Sequence, residues 1–215
     1  MSIRDLGPPA PDRTVAYGRC HQPGRPVGYW SLYEDTALAE VRAELNEQYA
    51  ISTFTVPEGS LFVPVGNLDY YRRTGRTYLG HEVGRSGENY RKILDREDWG
   101  IFALFDAFLA DEFIKSAVTQ SDYRITSAIA DILFNCNLKF PEKIDGIVYP
   151  GVAFREGANF AVRADVFRSK MRPDLAKTRI VEVTDVLGYG IFAWKELAVL
   201  ESVNSDDTLC WKELP

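Results

Sequence analysis

Residues 16–45 read AYGRCHQPGRPVGYWSLYEDTALAEVRAEL, and the way this stretch folds constrains everything around it. A short run ending at Arg19 and Cys20 is broken by HQPGRP and resumes as VGYWSL over Val27–Leu32. Proline and glycine between two runs of aromatic and β-branched residues signal a turn between strands. Thr14–Cys20 and Val27–Leu32 are therefore predicted as strands. Glu34, Asp35 and Thr36 supply the acidic and hydroxyl side chains that a helix N-terminus favours. Leu38, Val41 and Leu45 follow at helical spacing and are expected to be its buried stripe, with Glu40 at the border. If the loop folds the two strands together, a cation (Arg19), an aromatic face (Tyr29) and a carboxylate (Glu40) converge on one ligand.

Before this stretch, residues 1–13 are rich in proline and polar residues and read as an extended arm over the surface of a single domain spanning 14–215. After it, Tyr49–Val56 and Leu61–Val65 read as strands joined by a Pro-Glu-Gly turn, most simply a hairpin. Residues 67–98 are polar, with many Arg and Tyr and scattered glycines, and form with the following helix an insertion of about 67–120. Ile101–Lys115 is apolar on most faces and is expected to be a buried helix. Tyr123–Asn137 is a second helix with Ile125, Ile129, Ile132, Leu133 and Cys136 as its stripe. Ile144–Pro150 and Asn159–Arg163 are expected core strands, and Thr178–Val186 with Phe192–Val203 a closing antiparallel pair. Strands in runs, separated by clustered helices and without strand-helix-strand repeats, define an α+β class with mixed or antiparallel sheets.

The hydrophobic fraction of 46% and aromatic fraction of 13% supply a core that needs no metal or disulfide staple. A net charge of -6 with no long block of like charge disfavours nucleic acid and anionic membrane as partners, while leaving room for a local phosphate site. The N-terminal residues lack a secretory pattern and the apolar runs are too short to span a bilayer, which leads to the expectation of a cytoplasmic protein. Three widely spaced cysteines, Cys20, Cys136 and Cys210, fit neither a disulfide framework nor zinc spacing. With His21 and His81 the only histidines and no phosphate loop, nucleophile elbow or HExxH motif, chemistry falls to Arg, Glu, Tyr and hydroxyls, without a metal.

Arg19, Tyr29 and Glu40 lie ten and eleven positions apart within the pattern GRxxxPGxPVxYxSxxxxxALAEV. This pattern resembles the opening of the RES domain family. A second block, Tyr123, Thr126, Ser127 and Ala128 in YRITSAIAD, then DGIVYP at 145–150, then Gly157 and Asn159 before FAV, resembles the family's later segments in the right order. The resemblance implies a fold akin to the ADP-ribosyltransferases related to diphtheria toxin. It also implies an NAD-consuming activity, a toxin of a toxin-antitoxin pair, and an Xre-like helix-turn-helix antitoxin as partner; oligomeric assembly stays open. Two departures stand out: Gly151 replaces the family serine after Tyr-Pro, and Cys20-His21 replaces an aromatic followed by Asn.

These residue types suit NAD cleavage. As nicotinamide departs, positive charge grows on the ribose, and a carboxylate beside it stabilises that state more than the ground state. Glu40 is the candidate. Arg19 offers a planar fork of donors for a diphosphate or ribose oxygen, and Tyr29 a ring face for the cationic nicotinamide. Ser127, the Gly151 N–H, Asn159 and His21 are further candidates for contact with the dinucleotide. Transfer of ADP-ribose to water, which needs no acceptor pocket, is the simplest outcome, with phosphate as another small acceptor. Transfer to a target protein, or weak NAD binding with the serine lost, are the alternatives.

Overall fold

The strand that carries Tyr29, β1 (Val27–Ser31), forms one edge of a four-stranded sheet. In order it is followed by β5 (Ala158–Arg163), β4 (Gly146–Pro150) and β3 (Phe62–Pro64). The first two pairings are antiparallel and the last is parallel. A second sheet, antiparallel throughout, runs β2 (Gln48–Thr55), β6 (Arg172–Gly188), β7 (Ile191–Val203), β8 (Leu209–Glu213). This is a computed structural model of the chain, describing residues 1–79, 86–135, 143–151 and 157–215. Six α-helices occur among the described residues: α1 (Glu34–Glu40), α2 (Asn67–Thr74), α3 (Ser86–Leu94), α4 (Trp99–Ile114), α5 (Arg124–Asn135) and α6 (Ala164–Lys170). Together they make an α+β fold.

Strand pleating splits the first sheet into two unlike faces. Val27, Ala161, Ile147 and Tyr149 pack under α4 and α5 with Cys20, Val65, Leu109, Phe113, Ala130 and Phe134. On the other face Trp30, Phe62, Phe160 and Val162 pack against Val166, Phe167 and Met171 of α6 and its exit, and against Phe54 of β2. Trp30 stacks on Phe167 with centroids 4.9 Å apart, and Phe54 meets Phe167 edge-on at 5.1 Å. Helix α1 bridges the two sheets. At its start, Arg179 of β6 donates to Glu34 at 2.6 Å and the Phe192 N–H to Asp35 at 3.2 Å; its far end reaches β5.

Several sequence expectations are corrected here. Thr14–Cys20 is no strand: it is a tight loop with isolated bridges Gly18–His21 and Gln22–Arg25, turned at Gly24 with φ 75°. Tyr49–Val56 and Leu61–Val65 do not form a hairpin. The Pro57–Gly59 turn carries the chain from one sheet to the other, β2 pairing with β6 and β3 with β4. Helix α1 ends at Glu40, because Arg42 takes a left-handed conformation (φ 54°) while the Ala43 N–H bonds the Leu38 carbonyl and the Arg42 N–H the Ala39 carbonyl. Val41 (62% exposed) and Leu45 therefore lie outside the buried stripe, of which Leu38 remains. Helix α4 buries Ala103, Leu109 and Phe113 but exposes Ile101 (72%), Leu104 (74%), Phe105 and Phe108, so it is not enclosed on most faces. In α5 Ile125 and Ile132 are exposed, and Thr126, Ser127, Ala130 and Phe134 are the buried residues. Cys136, assigned to that stripe, and His81 lie outside the described residues.

Candidate active site

The register of the first sheet sets the site. Ser31, Asn159 and Tyr149 lie directly opposite one another across β1, β5 and β4, with Tyr29, Ala161 and Ile147 as the next row on the same face. Across this row the Ser31 hydroxyl donates to Asn159 Oδ1 at 2.6 Å, and Asn159 Nδ2 donates to Glu40 Oε1 at 2.7 Å. The buried Asn159 is thus oriented by one partner while it holds the other. Glu40 is the last helical residue of α1, where the carbonyl end of the helix favours cations over carboxylates. A charge-assisted bond from Asn159 offsets that local disadvantage.

Tyr29 divides its functions between ring and hydroxyl. The hydroxyl accepts from the Cys20 N–H at 2.8 Å, which leaves its own proton to donate to His21 Nδ1, also at 2.8 Å. Burial of its hydroxyl pushes its pKa well above the usual phenol value, yet the residue as a whole is 40% exposed and lines a cleft beside β1. Burial likewise lowers the pKa of His21, opposed by a hydrogen bond to Ala16, and so favours the neutral ring that can accept from Tyr29. Burial drives the Cys20 thiol far above its ordinary range, which keeps it neutral and unreactive.

Arg19 is fixed by neutral partners. Its guanidinium donates to the Phe113 carbonyl and, at 2.9 Å, to the Lys115 carbonyl, and it lies 5.4 Å from the centroid of the Tyr123 ring. The carbonyls at the end of α4 suit a cation. They tie the 16–26 loop to that helix, and among the described residues no carboxylate forms an ion pair with Arg19. Tyr149, packed on Phe113 at 5.4 Å, connects this group to the carboxylate. Burial is the main cause of its raised pKa, and among the smaller influences Arg19 lowers it while Glu40 raises it. Both charges are thus within electrostatic reach of one phenol.

The other candidates are placed differently. Ser127 is buried and its hydroxyl donates at 3.2 Å to the Arg124 carbonyl within its own helix. It lines a small cavity of about 160 Å³ with Cys20, His21, Arg25 and Asp131, away from the Glu40–Asn159 pair. The Gly151 N–H donates to the Gly157 carbonyl at 2.7 Å and is already satisfied. Gly157 must be glycine, since a Cβ there would sit 2.4 Å from Thr36 Oγ1. Ser31 and Tyr149 were not singled out from the sequence. The signal was present, because Ser31 follows Tyr29 by two and so shares its face of β1, but its partner Asn159 is 128 residues away. A cleft of about 570 Å³ runs along the β1 edge between the two sheets; Tyr29 and Ser31 line it from one face, Trp30, Phe54 and Phe160 from the other, and Tyr49 and Ile51 of β2 across from them, while Glu40, Asn159 and Arg19 do not line it. Among the described residues no group of three or more His, Cys, Asp or Glu is placed to hold a metal ion, and no helix is long and apolar enough to cross a membrane.

Fold and site together give an α+β domain in which a buried asparagine holds a carboxylate beside one face of a mixed sheet that also carries Tyr29, with an arginine fixed on the loop before β1. Residues 4–181 match the sequence profile of the RES domain, and the chain belongs to that family. No curated protein and no solved structure matches the chain.

Proposed function

We propose that the chain is an NAD-cleaving enzyme of the RES type, built on a fold related to the ADP-ribosyltransferases. The observation that carries this reading is the Ser31–Asn159–Glu40 chain of hydrogen bonds, which fixes a carboxylate two hydrogen bonds from Ser31, a residue that lines the cleft beside β1 together with Tyr29. NAD binds with its nicotinamide against the Tyr29 ring and its diphosphate toward Arg19, whose guanidinium has N–H groups beyond the two given to backbone carbonyls. The bond between ribose C1′ and the nicotinamide nitrogen breaks, and its electron pair leaves with neutral nicotinamide. Glu40 stabilises the cationic sugar until water attacks C1′ and releases a proton, giving ADP-ribose. Phosphate can replace water as the nucleophile.

His21 acts through Tyr29, and Asn159 through Glu40, as positioning residues. Ser127 and Gly151 have no direct part in this scheme. The absent serine at 151 does not undo the site, since Ser31 and Asn159 hold Glu40 without it. Family membership further supports a toxin role, with an Xre-like antitoxin as partner. The test is nicotinamide release from NAD by wild type and by Glu40→Gln, which keeps the shape and removes the charge. Rapid release by wild type and background release by the variant is the expected result. Equal release by both would overturn the proposal. Labelled NAD incubated with cell extract should yield free ADP-ribose, and labelled protein bands would indicate transfer to a protein instead.

A further inference from the structure

On the opposite face of the first sheet, beneath the N-terminal segment, lies a cavity of about 560 Å³ that the proposed reaction does not use. Its walls are Phe54, Phe167, Met171 and Pro8, and four arginines line it: Arg4, Arg13, Arg168 and Arg172. Four of the 25 lysines and arginines of a chain with net charge -6 thus gather at one opening. The N-terminal segment that roofs it is pinned by the Ile3 N–H to the Asp207 carbonyl at 2.9 Å and by the Leu209 N–H to the Met1 carbonyl at 3.1 Å. Where it crosses Phe167 it does so at Gly7, whose missing Cβ would lie 2.3 Å from that ring.

Of the four arginines, Arg4 is neutralised by Asp207 at 3.1 Å. Arg13, Arg168 and Arg172 are in no ion pair among the described residues, and Arg13 is near enough to Asp5 to help, after larger effects of Ser2, to lower its pKa. Arg172 is held by neutral groups, donating to the Met171 carbonyl at 2.8 Å and the Arg168 carbonyl at 3.3 Å, so it is pre-positioned with its charge intact. Uncompensated guanidinium groups around an aromatic hollow select a ligand with a phosphate and a planar ring, and the volume falls within the range of small-molecule sites. The cavity lies on the Trp30 face of the sheet, where Trp30 stacks on the Phe167 of its wall, whereas Ser31 and Asn159, which hold Glu40, lie on the other face; Phe54 and Met171 are shared with the cleft beside β1.

We infer that this cavity is a second binding site, for a phosphorylated aromatic ligand of the nucleoside monophosphate class. The test titrates AMP into wild type, Arg168→Glu, Arg13→Glu and Arg19→Ala by calorimetry, with thermal melts as a folding control. Arg168 and Arg13 are exposed and their guanidinium groups hold no backbone, so the variants should melt as wild type does. Each is expected to weaken AMP binding at least about tenfold, the loss of a charge-assisted contact, whereas Arg19→Ala leaves one AMP site intact. Arg168→Gln serves if charge reversal disturbs the fold. The inference is overturned if AMP shows no saturable binding up to about 1 mM, or if binding survives both surface variants and disappears with Arg19→Ala. That last pattern would place AMP in the NAD site and leave the proposed reaction standing.

Discussion

The two faces of the first sheet are built by opposite means. Under α4 and α5, Ser31, Asn159 and Glu40 are held by directed hydrogen bonds, and Tyr29 by bonds to Cys20 and His21. Beneath α6, Trp30, Phe54, Phe160 and Phe167 are held by shape and area alone. Directional contacts fix an atom within a few tenths of an ångström of where chemistry needs it, whereas packing fixes volume and stability. Substitution among the hydrogen-bonded groups is therefore expected to show first in kcat, and substitution among the packed rings first in stability.

The sharpest test is Glu40→Gln, expected to lower kcat for NAD cleavage by about 100-fold or more with an unchanged melting temperature, checked by nicotinamide release. Next, Asn159→Ala should reduce kcat by about tenfold with little change in KM, and cost roughly 1–3 kcal/mol because the Ser31 hydroxyl loses its buried acceptor. Chemical denaturation and steady-state kinetics separate those effects. On the packed face Gly28→Ala reverses the pattern. A Cβ there would sit 1.8 Å from the Trp30 ring, so stability should fall by about 1–3 kcal/mol while kcat per folded molecule holds.

A smaller effect tests His21. Its pKa is lowered in the folded chain, chiefly by burial, so the unfolded chain takes up a proton first as pH falls. Stability should therefore decline from its neutral-pH level as pH drops below the ordinary imidazole value of 6.5 and level off below the folded pKa, a slope that His21→Gln removes. Melting temperatures from pH 7.5 to 5, at a constant ionic strength of about 0.15 M, would measure it. Smallest of all, Arg42→Gly should stabilise the end of α1 by under about 1 kcal/mol, since glycine adopts the left-handed turn without a steric penalty.

What the sequence disclosed follows the range of its signals. Strands β1, β4, β5 and most of β6 and β7 were visible in local pattern, and Tyr29 and Glu40 in a single contiguous stretch. Pairing was not. The Pro57–Gly59 turn is real, yet alternation of apolar residues carries no information about which distant strand completes a ladder, so β2 and β3 were joined as a hairpin. Helix α1 was read one turn too long because a left-handed arginine is not a usual stop signal. Arg19 was visible as a cation, but its anchorage to Phe113 and Lys115 needed contacts 94 and 96 residues along the chain. Helix α4 was apolar enough to suggest full enclosure, and only the fold reveals which of its sides meets the core.

The bond between Asn159 and Glu40 spans 119 residues. A ribosome adding about 5–20 residues per second needs roughly ten seconds to make that interval, and β1 has no sheet partner until β5 has left the exit tunnel. Throughout that time Glu40 lacks the amide that holds it, and the candidate site does not yet exist, however long the first forty residues have been outside.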